Sequence, residues 1–185
     1  MRLFVAINFS EETIKRLVSL RDELRCNSKS GSFTLTENLH LTLVFIGECS
    51  DKQAASAKSV MEEIYFEPFD IAIDHIGRFK RDGGDIWWVG LGESKPLLKL
   101  QLDLSDRLIA AGFALDKRAY SPHITIGRKV STNMKPRKID PAPEQVSCID
   151  LMKSERINGK LTYTPIFSKR VCHENYRRDS HGKIH

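Results

Sequence analysis

Two short runs of the chain set a threonine two residues after a histidine: His40-Leu41-Thr42-Leu43 and His123-Ile124-Thr125-Ile126. On a strand, residues i and i+2 share a face. Each run therefore aims one imidazole and one hydroxyl to the same side, with the apolar pair buried behind them. Two such strands facing each other surround one small anion with two histidines and two threonines, a set suited to acid–base chemistry on a phosphate. An ordinary imidazole pKa of about 6.5 lets the charged and neutral forms coexist near neutrality, so one ring can give a proton while the other takes one. A lone histidine on a strand is usually structural, and a strand threonine needs no function because β-branched residues favour strands. One such tetrapeptide arises by chance in roughly one chain in twenty and a pair in on the order of one in a thousand, so the second copy carries the signal. A two-histidine metal site is the competing chemistry. Neither run shows a carboxylate or cysteine at a recognisable ligand spacing.

The elements around the two runs repeat as well. The histidines are 83 residues apart. The same shift carries the strand-like run Leu3–Asn8 onto Ile86–Leu91 and the segment Glu11–Leu24 onto Ser94–Arg107. Both latter segments have helical apolar spacing: Ile14, Leu17, Val18 and Leu24 in one, Leu97, Leu100, Leu104 and Leu108 in the other. Ser10 and Ser94 are the expected N-caps, Pro96 suits a first turn and Gly112 marks the end of the second helix. Each half thus reads strand, helix, loop, histidine strand. The match is one of pattern more than of identity.

Elsewhere, a helix is predicted from Asp51 to Ile64 and a strand over Phe69–Asp74, with a turn at Arg81–Asp85. Pro136, Pro141 and Pro143 predict an exposed loop from Lys129 to Gln145. Val146–Met152 and Leu161–Phe167 read as strands joined by a hairpin turn at Asn158-Gly159. The chain is expected to form one domain of two lobes over residues 1–176, followed by a polar, disordered tail over 177–185.

With 185 residues the chain is long enough for a core without covalent staples. Its four cysteines are scattered with no CxxC pair, which argues against structural zinc and for reduced thiols in the cytoplasm. No apolar run reaches membrane-span length, and the N-terminal run is too short for a signal peptide. A net charge of +5 is compatible with an anionic partner such as RNA. Several basic residues fall together at Arg128, Lys129, Lys135, Arg137 and Lys138, equally readable as a solvated loop. Arg118 is readable as a phosphate ligand or as the partner of a carboxylate. His75, His173, His181 and His185 lack a threonine two residues on and read as surface or structural.

Three stretches carry a family resemblance: Arg2-Leu3-Phe4-Val5-Ala6-Ile7, the run Asn38 to Glu48 around His40, and the run Arg118 to Arg128 around His123. Weaker likeness lies in Trp87–Leu91 and Tyr163-Thr164-Pro165. The chain resembles the RNA 2′,3′-cyclic phosphodiesterases, also called 2′-5′ RNA ligases, of the 2H phosphoesterase superfamily. The resemblance implies an α+β fold of two lobes, with pseudo-duplicated antiparallel sheets, helices on the outer faces and a central cleft holding both motifs. It implies hydrolysis of a 2′,3′-cyclic phosphate at an RNA or oligonucleotide end to a 2′-phosphate, with no metal or other cofactor. A cytoplasmic monomer with no membrane partner is expected, although the residues themselves do not fix the oligomeric state. His40 would donate a proton to the departing 3′ oxygen, His123 would activate water, and Thr42 and Thr125 would hold phosphate oxygens. Phe45 and Arg128, each five residues after its histidine, would lie near the base. The residues themselves do not separate donor from acceptor, because the two motifs are nearly symmetric. Strict alternation also opposes the last two placements. It puts Phe45 on the core face, and Arg128 shares that parity unless Gly127 bends the strand. Alternatives are a 2′-5′ linkage or another cyclic nucleotide as substrate, ligation as the reverse reaction, and a basic RNA-binding module without catalysis.

Overall fold

The computed structural model describes residues 1–171; the predicted tail at 177–185, Cys172 and the histidines His173, His181 and His185 lie outside them. The first strand, β1 (Arg2–Ile7), is almost wholly buried, as its unbroken apolar run requires. Ser10 then caps helix α1 (Glu11–Cys26) by accepting a hydrogen bond from the Thr13 amide, with Glu11 and Glu12 in the positive first turn. Strand β2 (Ser28–Phe33) follows, then a single 3-10 turn over Thr36–Asn38 that delivers His40 to strand β3 (Leu41–Glu48). Helix α2 (Asp51–Glu63) opens with a full capping box between Ser50 and Gln53. Strands β4 (Phe69–Phe79) and β5 (Asp85–Leu91) form a hairpin through the predicted turn. Ser94 caps helix α3 (Lys95–Ala110), which buries the predicted stripe Leu97, Leu100, Leu104 and Leu108. Each of those leucines contributes roughly 1.5–3 kcal/mol by leaving water.

His123 opens strand β6 (His123–Thr132), and β7 (Arg137–Val146), β8 (Cys148–Ile157) and β9 (Lys160–Arg170) complete the chain. The β8–β9 turn is the predicted Asn158-Gly159, with φ of 50° and 79° at the two residues, the left-handed pair that such a turn demands.

All strand pairings are antiparallel, in two sheets ordered β3-β1-β8-β9 and β2-β6-β5-β4-β7. Apart from β2, the second sheet repeats the first strand for strand: β6 stands for β3, β5 for β1, β4 for β8 and β7 for β9. The fold is α+β, with two matched sheets. One continuous core, including Leu3, Val5 and Leu151 from the first sheet and Ile73, Trp87 and Ile124 from the second, joins them.

Two segments differ from expectation. Residues 129–145 are not a loop: β6 runs on to Thr132, and Arg137–Val146 pairs with β4 at the sheet's edge. An edge strand turns one row of N–H groups to solvent, so Pro141 and Pro143, two residues apart, sacrifice no ladder bond. Buried Glu144 fastens this edge to α1, accepting hydrogen bonds from the Ser10 amide and from the hydroxyls of Ser10 and Thr13. The polar segment Ser28–Phe33, expected as loop, is strand β2, held by backbone pairing to β6. Cys26, Cys49 and Cys148 are free thiols.

Candidate active site

The two histidine strands, β3 and β6, approach each other where the sheets meet, and a cavity of about 580 Å³ opens between them. His40, Thr42, Phe45, His123, Thr125 and Arg128 all line it. Phe45 and Arg128 are corrections to the parity argument. Between β1 and β3 the register steps from Ala6–Thr42 to Val5–Val44, which leaves Leu43 as an extra residue. Leu43 and Val44 are both buried, the alternation reverses, and Phe45 emerges at 47% exposure on the side of the histidine. Between β5 and β6 the register steps from Trp88–Thr125 to Trp87–Gly127, with Ile126 the extra residue. Arg128 emerges in the same way. The two bulges sit 83 residues apart, like the histidines.

Each imidazole is held by the backbone two residues before it. His40 Nδ1 lies 2.8 Å from the Asn38 carbonyl oxygen, and His123 Nδ1 lies 2.7 Å from that of Ser121. A carbonyl only accepts, so both Nδ1 atoms carry hydrogen and both Nε2 atoms remain for chemistry. His40 Nε2 is 3.0 Å from the Thr42 hydroxyl, which donates to it when the ring is neutral. Aromatic rings flank both histidines. Phe4 and Tyr163 stand 4.9 and 5.2 Å from His40, and Phe79 stands edge-on 5.1 Å from His123. Burial lowers the His40 pKa below the ordinary histidine value. The charges of His123 and Arg128 act the same way, against the Asn38 hydrogen bond.

Arg2 also reaches the cavity, its guanidinium 4.9 Å from the centre of the Phe45 ring. Tyr163 and the Ser32–Leu35 segment line it too. Arg2 and Tyr163 fall within the stretches that carry the resemblance, but the 83-residue shift maps none of these residues onto a matching type, so the repeat gave them no role. Arg118 pairs with Asp116 on the surface and does not line the cavity. Asn38 is buried and donates through its side-chain amide to the Leu161 carbonyl at 2.9 Å, which ties the β8–β9 hairpin to the turn before His40. Among the described residues no group of three or more His, Cys, Asp or Glu stands close enough to hold a metal ion. No helix among them is long and apolar enough to cross a membrane.

Comparison with known proteins agrees with this architecture. An RNA 2′,3′-cyclic phosphodiesterase of Archaeoglobus fulgidus is 32% identical over 130 residues, covering 69% of this chain and 72% of the relative. The Escherichia coli K12 protein of the same description is 26% identical over 171 residues, covering 89% and 93%. A crystal structure of E. coli LigT complexed with 3′-AMP superposes with a TM-score of 0.80 at 26% identity, covering 92% of this chain and 97% of that one. The family model of the 2′-5′ RNA ligase superfamily matches residues 9–155, and with the two histidine motifs on one cleft between matched sheets, the chain belongs to that superfamily.

Proposed function

We propose that the protein hydrolyses the 2′,3′-cyclic phosphate at the end of an RNA or oligonucleotide to a 2′-phosphate without a metal, using His40 as acid and His123 as base. The observation that carries this reading is the pair of imidazoles on one cavity, each with Nδ1 tied to a backbone carbonyl and each with a threonine two residues on. His123 Nε2 takes a proton from water as its oxygen bonds to phosphorus. The bond from phosphorus to the 3′ oxygen breaks, and His40 Nε2 gives its proton to that oxygen. The hydroxyls of Thr42 and Thr125 donate to the non-bridging oxygens as charge builds on them. Phe45 offers a face for the base, and Arg128 offers planar donors or a stacking surface.

Burial bears on the division of roles. In the free protein it favours neutral His40, so the acid must be charged by its substrate. A bound phosphate anion next to Nε2 favours the imidazolium and supplies that correction. The same lowered pKa favours a second reading, with His40 as base and His123 as acid. A short RNA with a 2′,3′-cyclic end, incubated with chelator present, tests the function. Accumulation of the 2′-phosphate end supports departure of the 3′ oxygen as proposed, whereas a 3′-phosphate end means that the 2′ oxygen leaves instead. The limbs of the pH–rate profile that His40→Ala and His123→Ala remove then assign acid and base. No turnover by folded protein defeats both and directs attention to 2′-5′ linkages, and loss of turnover with chelator defeats the metal-free mechanism.

A further inference from the structure

The backbone carbonyls of Thr42 and Thr125 occupy equivalent places, each immediately before the bulged residue that interrupts its ladder. Each is capped by a side-chain hydroxyl. The Tyr120 hydroxyl donates to the Thr42 carbonyl at 2.9 Å, and the Thr34 hydroxyl donates to the Thr125 carbonyl at 2.9 Å. The donors are not equivalent. Tyr120 precedes His123 by three residues and Thr34 precedes His40 by six, so neither maps onto the other by the 83-residue shift. Both bonds cross between motifs: the segment leading to His123 is tied to the strand of His40, and the segment leading to His40 is tied to the strand of His123. An unpaired buried carbonyl needs some partner, but a partner from its own side would serve that need.

The two ties are themselves anchored. The Thr34 amide donates to the Ile126 carbonyl at 3.1 Å. Arg21, 7% exposed on α1, donates to the Thr34 carbonyl at 2.9 Å and to the Thr36 hydroxyl at 3.1 Å, so the segment before His40 is fixed through both backbone groups of Thr34. Burial pushes the Tyr120 hydroxyl above the ordinary tyrosine value, so it remains a donor through the neutral range. Tyr120 does not line the cavity, and Thr34, which does, spends its hydroxyl proton on the Thr125 carbonyl.

We propose that Tyr120 and Thr34 form a reciprocal clamp that sets the separation of His40 and His123 across the cleft, making both positioning residues for the two proton transfers. The inference rests on the two-histidine reading above. A misplacement of about 1 Å costs on the order of 10²-fold in rate when two groups must act on one centre. Losing either tie leaves both imidazoles and both threonines present while their spacing relaxes.

Tyr120→Phe and Thr34→Val remove one hydroxyl each and keep the buried shape. In each, kcat on the cyclic-ended RNA is expected to fall about 10–100-fold while KM stays within about twofold, the pattern of a lost transition-state alignment. Because both ties hold one distance, the double variant is expected to fall well short of the product of the single losses. Wild-type kcat in both folded variants, a change confined to KM, or a rate loss that follows the thermal midpoint overturns the clamp. Should Tyr120→Phe fail to fold, Thr34→Val decides. Inorganic phosphate supplies a readout independent of turnover. The imidazole NMR signals of His40 and His123 are expected to shift together as phosphate is added, and each variant is expected to need severalfold more phosphate. Unchanged titrations overturn the clamp even if the wild-type protein hydrolyses no cyclic end, an outcome that defeats the proposed function separately.

Discussion

His40 and His123 stand on equivalent strands, with equivalent bulges three residues on and equivalent carbonyl tethers two residues back, yet their surroundings differ. His40 is half-buried between Phe4 and Tyr163, and its Nε2 engages the Thr42 hydroxyl. His123 is more open, and among the described residues its Nε2 has no hydrogen-bond partner. The repeated backbone delivers two imidazoles in one orientation. The unrepeated side chains then bury His40 and lower its pKa, a bias that a reaction with one acid and one base could use. Pseudo-symmetry therefore belongs to the backbone and asymmetry to the side chains around the two rings.

The largest effects should come from breaking either side of this pair. His40→Ala and His123→Ala are each expected to lower kcat on a cyclic-ended RNA by about 10²–10⁴-fold, the usual worth of one proton transfer. The double variant is expected to lose little more than the worse single one, because half of a concerted pair is nearly useless. Steady-state rates with circular dichroism as a fold control check this. Retention of turnover by either single variant removes that histidine from the mechanism.

A smaller difference should separate the threonines. Thr42→Val and Thr125→Val each remove a proposed donor to the phosphate, expected to be worth about 1.5–3 kcal/mol or roughly 10–150-fold in kcat. Among the described residues, only Thr42 of the two also touches an imidazole of the pair. Thr42→Val is therefore expected to be the more damaging and to move the His40-dependent flank of the pH–rate profile, whereas Thr125→Val lowers the profile without moving that flank. In the wild-type protein the same flank should lie below about 6.5 in kcat/KM, which reports the free protein, and should rise in kcat, where bound phosphate favours the imidazolium. Identical profiles in the two variants would show that the Thr42 contact does not tune His40.

What could be seen beforehand has a physical boundary. The two motifs, the 83-residue repeat, the caps at Ser10 and Ser94 and the Asn158-Gly159 turn are local patterns, written in residues a few positions apart. The features that complete the cleft depend on partners distant in the chain. A bulge at Leu43 is decided by pairing with β1, and one at Ile126 by pairing with β5, so strict alternation turned Phe45 and Arg128 the wrong way. The prolines of β7 signalled a loop because nothing local reveals that the strand is an edge. Strand β2 is polar because backbone pairing rather than a buried face secures it. The hydroxyls of Tyr120 and Thr34 meet carbonyls 78 and 91 residues away.

The smallest effect concerns stability, and it isolates His40 from the chemistry altogether. Desolvation lowers the His40 pKa in the folded protein below the value of about 6.5 that it regains on unfolding. Between those two values the unfolded chain binds more protons than the folded one, so stability rises with pH. The contribution is fully present above about pH 6.5 and is lost as pH falls through the lower, folded value. This window lies above that of Asp22 and Glu37, whose carboxyls are held low chiefly by hydrogen bonds from Arg21 and Lys160 and which release stability only under more acid conditions. Urea unfolding midpoints measured at pH 7.5 and pH 5.5 should therefore fall toward the acid side in the wild-type protein. They should fall less in His40→Asn, whose amide nitrogen takes the place of Nδ1 and can still donate to the Asn38 carbonyl but takes up no proton in this range. The difference between the two slopes therefore reports His40 together with its charge coupling to His123. Equal slopes would mean that the half-buried setting between Phe4 and Tyr163 does not hold His40 neutral, and the asymmetry between the two imidazoles would then have to come from the substrate alone.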